Sequence, residues 1–286
     1  MLQKIKTKLR KNIELFDFIR VLLAPVFYLQ WGCNEIQAIG RKCSIGGEKY
    51  RWIKGIKDSH KGERCFVIAT GPSLTEKDLN LVEKEYTVSM NSCFFAFQNT
   101  GWRPDIYAIQ DEYVYKAMKS DISSGVLDGI RLCIASGELI KKLRLPPMFL
   151  PYPLNHMDRK TKQGLEGGRM KYSLDCYEDI YDNGSVIFTL LQIIVYMGFE
   201  EIYLLGCDCD YTQSKKHFVD YGHDDPYVNQ VMVRIEKAHK KFLEFAACKG
   251  VKVVNCTRGG KLEVYPRMPL ETVIGKPDIL GEEKSG

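Results

Sequence analysis

The sequence predicts an α/β domain, a doubly wound and mainly parallel sheet, preceded by a basic amphipathic helical segment. Three observations predict it. From Arg64 onward, short apolar runs of strand length alternate with longer segments of helical period. That alternation implies parallel strands with helices on both faces. The chain has 286 residues, 45% of them hydrophobic, which suits one large domain or a domain with an appendage.

The N-terminal segment, residues 1–32, stands apart. Leu2, Ile5, Leu9, Ile13, Phe16 and Ile19 recur at helical spacing, and Lys4, Lys6, Lys8, Arg10 and Lys11 come before any acid. The later run "VLLAPVFYLQW" is apolar, but Asp17 and Arg20 precede it and Pro25 is expected to break the helix. No apolar span reaches the ~18 residues that a transmembrane helix needs. Two uses stay open: a helix lying in a membrane interface, and the plainer one, packing on the domain or on another subunit. The net charge of +5 is too weak to imply nucleic acid, though it fits an anionic ligand or a membrane surface.

Residues 33–63, rich in Gly and Lys, read as a connector. The nucleotide-binding domain is expected over 64–275 and a flexible tail over 276–286. The ten cysteines form no C-x-x-C pair, and no secretory signal precedes them. A reducing, cytoplasmic compartment follows, with peripheral attachment to the inner face of the membrane if the N-terminal segment docks there.

Within the domain, "CFVIAT" is the first strand and "SLTEKDLNLVEKE" a helix entered from Ser73. "YTVSMN", "DIYAIQD", "IRLCIAS" and "PMFLPYP" continue the strands. "SVIFTLLQIIVYMGF" is a buried helix, "EEIYLLGCD" a strand, "QVMVRIEKAHKKFLEFAACKG" an amphipathic helix stopped by Gly250, and "VKVVNCT" the last strand.

Ligands of such sheets bind at the carboxyl ends of the strands, so those ends are the places to search. The first carries Thr70, Gly71, Pro72 and Ser73 before a helix N-terminus, a combination that suits phosphate or serves as a plain turn. Neither a G-x-G-x-x-G nor a P-loop fingerprint is present. The second strand ends at Asn91 and Ser92, the third at Asp111. Asn183, Gly184 and Ser185 precede the buried helix, as caps or as a second anion site. Asp208 and Asp210, two apart, share a face if extended and then suit a divalent cation or sugar hydroxyls; a solvated loop is the alternative. His217 and His223 lie in one acidic loop, where a histidine serves as general acid or base or simply faces solvent. Thr257 and Arg258 follow the last strand, where Arg258 meets a phosphate or carboxylate, caps a helix or makes a surface ion pair.

The ordered series "VIATGPSL", "VSMNS", "DIYAIQD", "NGSVIFTLLQIIVYMGFEEIYLLGCDCDY", "HF" and "NCTRGGKLEVYPR" resembles the MptE-like domain family, from about Arg64 to Leu270. That superfamily is named for a 6-hydroxymethyl-dihydropterin diphosphokinase. It is similar to bacterial sialyltransferases that use CMP-sialic acid and to flagellin-modifying motility accessory factors. The resemblance implies a Rossmann-like nucleotide-binding fold. It implies that Gly71, Pro72 and Ser73 form the nucleotide-phosphate turn, that Asn91 contacts the nucleotide or donor, and that Gly184 and Ser185 face the donor. Asp208 and Tyr211 match the acidic and aromatic positions after the central strand. Either His217 or His223 matches the catalytic histidine: Gly222-His223 is the closer local match to the sialyltransferases, His217-Phe218 to the bacterial MptE-like form. The chain has Ala69-Thr70 where the sialyltransferases have Gly-Asn, so the resemblance leaves the donor nucleotide open.

The expectation is a nucleotide-dependent transferase, first a glycosyltransferase using a nucleotide-activated sugar, with a CMP-linked one among the candidates, and a glycan or lipid-linked acceptor. The alternative is a pterin diphosphokinase using ATP and Mg²⁺, with Asp111, Asp208 and Asp210 on the metal. The third is a non-catalytic nucleotide-binding protein.

Overall fold

The computed structural model describes residues 13–156, 170–210 and 228–275. The strands are β1 (Arg64–Ile68), β2 (Thr87–Met90), β3 (Ile106–Ile109), β4 (Leu132–Ser136), β5 (Phe149–Tyr152), β6 (Leu154–Asn155), β7 (Ile180–Tyr181), β8 (Glu201–Leu205) and β9 (Lys252–Asn255). Seven of them form one sheet in the order β5-β4-β3-β2-β1-β8-β9, every pairing parallel. The doubly wound reading therefore stands. β6 and β7 form a separate parallel pair that the sequence did not suggest, because two residues carry no periodicity.

Strand side chains alternate between two cores. Cys65 and Val67 of β1 join one cluster, Phe66 and Ile68 the other, and β8 divides in the same way at Ile202, Tyr203, Leu204 and Leu205. Both faces are covered, which is why the strands read as unbroken apolar runs.

The helices are α1 (Ile13–Lys42), α2 (Arg51–Gly55), α3 (Glu76–Leu81), α4 (Glu112–Ser123), α5 (Gly137–Leu143), α6 (Val186–Tyr196), α7 (Val228–Cys248) and α8 (Leu270–Ile274). α6 is apolar all round, with Phe188, Leu190, Leu191, Ile193 and Ile194 fully buried, and it packs against β1, β2 and β3. α7 ends at Gly250, whose φ of +72° is the left-handed stop that glycine allows.

Three local expectations are corrected. Pro25 does not break the first helix: α1 continues through it to Lys42, beyond residue 32. Pro25 is exposed, so the carbonyl that loses its amide partner can be met by water. Ser73 does not open α3. Thr75 does, through a reciprocal capping box with Asp78, while Ser73 is engaged elsewhere. The second strand leads into the 3-10 helix Asn91–Gln98. The expected tail, 276–286, lies outside the described residues.

From β1 the chain winds outward to β5, then returns to set β8 on the other side of β1. The order reverses between β1 and β8, so the loops leaving their carboxyl ends diverge and open a crevice there.

Candidate functional site

At the switch point the turn after β1 and the segment after β8 are locked together. The Gly71 amide donates to the Gly206 carbonyl at 2.9 Å, continuing the Ala69-to-Leu205 bond of 2.8 Å. A Cβ on Gly71 would overlap both Asp208 Oδ2 and the Gly206 carbonyl oxygen, so only glycine allows this approach. Asp208 Oδ2 accepts from the Ser73 hydroxyl at 2.9 Å and from its amide at 3.4 Å. Burial raises the Asp208 carboxyl; the bonds from Ser73 oppose the shift and the nearby charge of Asp210 adds to it.

Asp208 and Asp210 do not share one extended face. Cys209 between them has a left-handed φ of +48°, which turns the chain. Asp210 instead pairs with Lys261 Nζ at 3.0 Å, and the Lys261 amide donates to the Asp208 carbonyl at 2.7 Å. Among the described residues no three His, Cys, Asp or Glu side chains gather as a metal site.

The remaining strand ends differ. Asn91, after β2, sits at φ +52°, a region Asn tolerates better than most residues. Its Oδ1 and the Ser92 hydroxyl oxygen are buried with no hydrogen-bond partner among the described residues. After β3, Gln110 Oε1 accepts from Tyr152 at 2.9 Å and from Thr189 at 2.7 Å. Thr189 lies in the first turns of α6, so that helix N-terminus stands at the carboxyl edge of the sheet. Ser185 is its N-cap residue but makes no capping bond, leaving the first amides of α6 without the side-chain acceptor usual there. Asn183 is 1% exposed; its Nδ2 donates to the Lys171 carbonyl at 2.8 Å while its Oδ1 has no partner. Gly184 has φ +105°, and a Cβ there would stand 3.1 Å from Arg234 Nε. The buried Arg234 of α7 thus backs this corner.

Other expected residues have structural partners. Asp111 caps α4, accepting from the Tyr113 and Val114 amides at 2.7 and 3.1 Å. Thr257 Oγ1 accepts from the Cys207 amide at 3.0 Å, tying the end of β9 to that of β8. Arg258 pairs with Asp78 at 2.6 Å and Glu271 at 2.9 Å, the ion-pair alternative. Thr70 and Pro72 are half-buried beside Gly71. Tyr211, His217 and His223 lie outside the described residues.

Thr189 and Arg234 join the carboxyl edge without having been singled out, while Lys261, expected to meet a phosphate or carboxylate, meets that of Asp210. Gln110 was signalled by its place at a strand end. Arg234 gave no signal, because it reads as the polar face of an amphipathic helix. His239, also on α7, is fully buried with Nδ1 2.8 Å from the Tyr265 hydroxyl, and burial pushes its pKa down to about 3, so it stands neutral.

No curated protein matches the chain. It is similar to the solved MAf glycosyltransferase from Magnetospirillum magneticum AMB-1, at 14% identity and a TM-score of 0.47, over 77% of this chain and 38% of that one. The chain thus spans well under half the length of that protein. A family model described as 6-hydroxymethylpterin diphosphokinase MptE-like matches residues 48–214, more than half of the sequence. The chain belongs to the MptE-like family.

Proposed function

We propose that the chain is a nucleotide-dependent transferase, a glycosyltransferase that moves a sugar from a nucleotide-activated donor to a glycan or lipid-linked acceptor. The observation that carries this is the set of buried polar atoms without partners among the described residues at the strand ends, Asn91 Oδ1, Ser92 Oγ and Asn183 Oδ1. A buried polar atom left unpaired costs about 1–3 kcal/mol, and a ligand that pairs it removes the cost. The uncapped N-terminus of α6 beside Asn183 supplies amides and a positive dipole end for an anionic donor. Asp208, buried against the Gly71 turn, orients a sugar or ribose hydroxyl, and its raised pKa suits proton exchange. His217 or His223, following Asp210 in the sequence, acts as the base toward the acceptor hydroxyl.

The family's own description favours a second reading, a diphosphokinase. Mg²⁺ arriving on phosphates needs only one or two protein carboxylates. Asp208 and Asp210, close enough for the charge of one to raise the pKa of the other, fit that need, although Asp210 is already paired with Lys261. Asp111, committed to its cap, does not join them. The ion would neutralise charge on the transferring phosphoryl group.

Thermal melting against CMP, CDP, UDP, GDP, ATP and their common sugar conjugates, with and without Mg²⁺, separates the readings. A metal-independent rise with a cytidine nucleotide or a nucleotide sugar supports glycosyl transfer. A rise confined to ATP with Mg²⁺ transfers support to the kinase. No rise with any member contradicts the nucleotide site. Once a substrate is found, full activity in both His217→Ala and His223→Ala would remove the histidine from the mechanism.

A further inference from the structure

We infer that α1 docks this chain onto an anionic lipid surface. From Val21 to Asn34 the helix carries no charged residue. Leu22, Leu29 and Ile36 are 62%, 72% and 70% exposed, values that a helix packed on its own domain would not show. At about 100° per residue Leu22, Val26, Leu29 and Ile36 fall on one line, with exposed Leu23 and Ile39 about 100° to either side. Exposed Gln30 and Gln37 fall between Leu23 and the crest, so the continuous apolar arc runs from Ile39 to Val26, about 140° wide, still broader than the narrow seam through which two helices pair as a coiled coil. A surface that wraps the flanks as well as the crest fits it better. Exposed Tyr28 lies about 20° beyond Ile39, at the edge of this arc, where an aromatic ring settles at a lipid headgroup boundary, while Trp31 lies on the opposite side of the helix.

Charge fixes the kind of surface. Lys4, Lys6, Lys8, Arg10 and Lys11 precede α1 in the sequence, and the first acid is Glu14. A basic run next in sequence to an apolar helix complements anionic lipid. No helix among the described residues is long and apolar enough to cross a membrane, so the arrangement is one of lying on the surface.

The other end of α1 is anchored in the domain. Arg41 is buried; its Nε donates to the Glu178 carbonyl at 2.6 Å and its Nη2 pairs with Asp179 Oδ1 at 3.0 Å, while Asn155 Nδ2 donates to Asp179 Oδ2 at 3.0 Å. The guanidinium also lies over the Tyr50 ring, 5.7 Å from its centroid. Docking through α1 therefore fixes how the carboxyl edge of the sheet is turned toward the membrane. The inference does not depend on which nucleotide the domain binds, and its test is separate from the melting panel.

The test is sedimentation of the full chain with vesicles of phosphatidylcholine alone and of phosphatidylcholine with phosphatidylglycerol. Binding to the mixed vesicles is expected, weakened by salt. Leu22→Glu with Leu29→Glu should abolish sedimentation while leaving the melting curve unchanged, since both side chains are exposed. Lys4→Gln, Lys6→Gln and Lys8→Gln together should weaken it by on the order of a hundredfold, about fivefold for each charge. Failure of the wild type to sediment with the mixed vesicles overturns the inference, as does undiminished binding of the Leu22→Glu, Leu29→Glu variant. Light scattering that gives a dimer dissolved by that variant, without vesicle binding, would assign the face to a second copy and overturn it too.

Discussion

Two sets of residues at the carboxyl edge of the sheet are built on opposite principles. At the β1–β8 corner the polar groups are engaged: Gly71 is pressed onto Asp208, Ser73 bonds its carboxylate, and the helix that follows is closed by its own capping box. At Asn91, after β2, and at Asn183, before α6, buried oxygens lack partners among the described residues, and α6 has no side-chain cap. The glycine-proline-serine turn attracts the eye in the sequence, yet it is the second set that has unmet bonding capacity. The difference teaches that the first set fixes the shape of the crevice, and the second has most to gain from a ligand.

Substitutions should separate the two sets. Gly71→Ala is expected to have the largest effect, about 3 kcal/mol of lost stability, because neither the Gly206 backbone nor the buried Asp208 can give way cheaply. Urea denaturation measures it, and an unchanged midpoint would mean the corner is looser than described.

Asp208→Asn comes next. Loss of the buried carboxyl that accepts from Ser73 should cost about 1 kcal/mol in acid, where that carboxyl is protonated. The pH dependence has a definite sign. A carboxyl whose pKa is raised by burial binds its proton more tightly in the folded chain than in the unfolded one. It thus adds stability below its unfolded pKa, which is lost as pH rises through its folded value. The gap between wild type and Asp208→Asn should narrow as the pH is raised, and a gap that widened would reverse the assignment.

Asn183→Ala should cost only about 1 kcal/mol of stability, from the bond to the Lys171 carbonyl. It should weaken nucleotide binding by about tenfold or more, the cost of losing a buried acceptor that the ligand meets. Asn91→Gly should be smallest in stability, within about 0.5 kcal/mol, since glycine accepts the left-handed backbone that Asn91 already holds. Its readout is again nucleotide affinity, by calorimetric titration.

The strands were legible because burial on both faces leaves an unbroken apolar signature, and α6 because an apolar run of its length has one place to go. The ends of those strands, and hence the neighbourhood of the site, followed from the same reading. What escaped depends on contacts between distant segments. Nothing in the sequence brings Ser73 onto Asp208, and Arg234 and His239 are polar residues of an amphipathic helix whose burial its periodicity does not reveal. Pro25 misled for a local reason: an exposed helix face tolerates a missing amide that a buried one would not.

The most direct test of this account is the nucleotide-dependent rise in melting temperature, measured side by side for the wild type and Asn183→Ala. The account predicts a clear rise in the wild type with at least one nucleotide or nucleotide sugar, and most of it lost in the variant while the unliganded melting temperatures stay close. An equal rise in both proteins would show that the unpartnered oxygen of Asn183 does not meet the ligand, and would contradict the account.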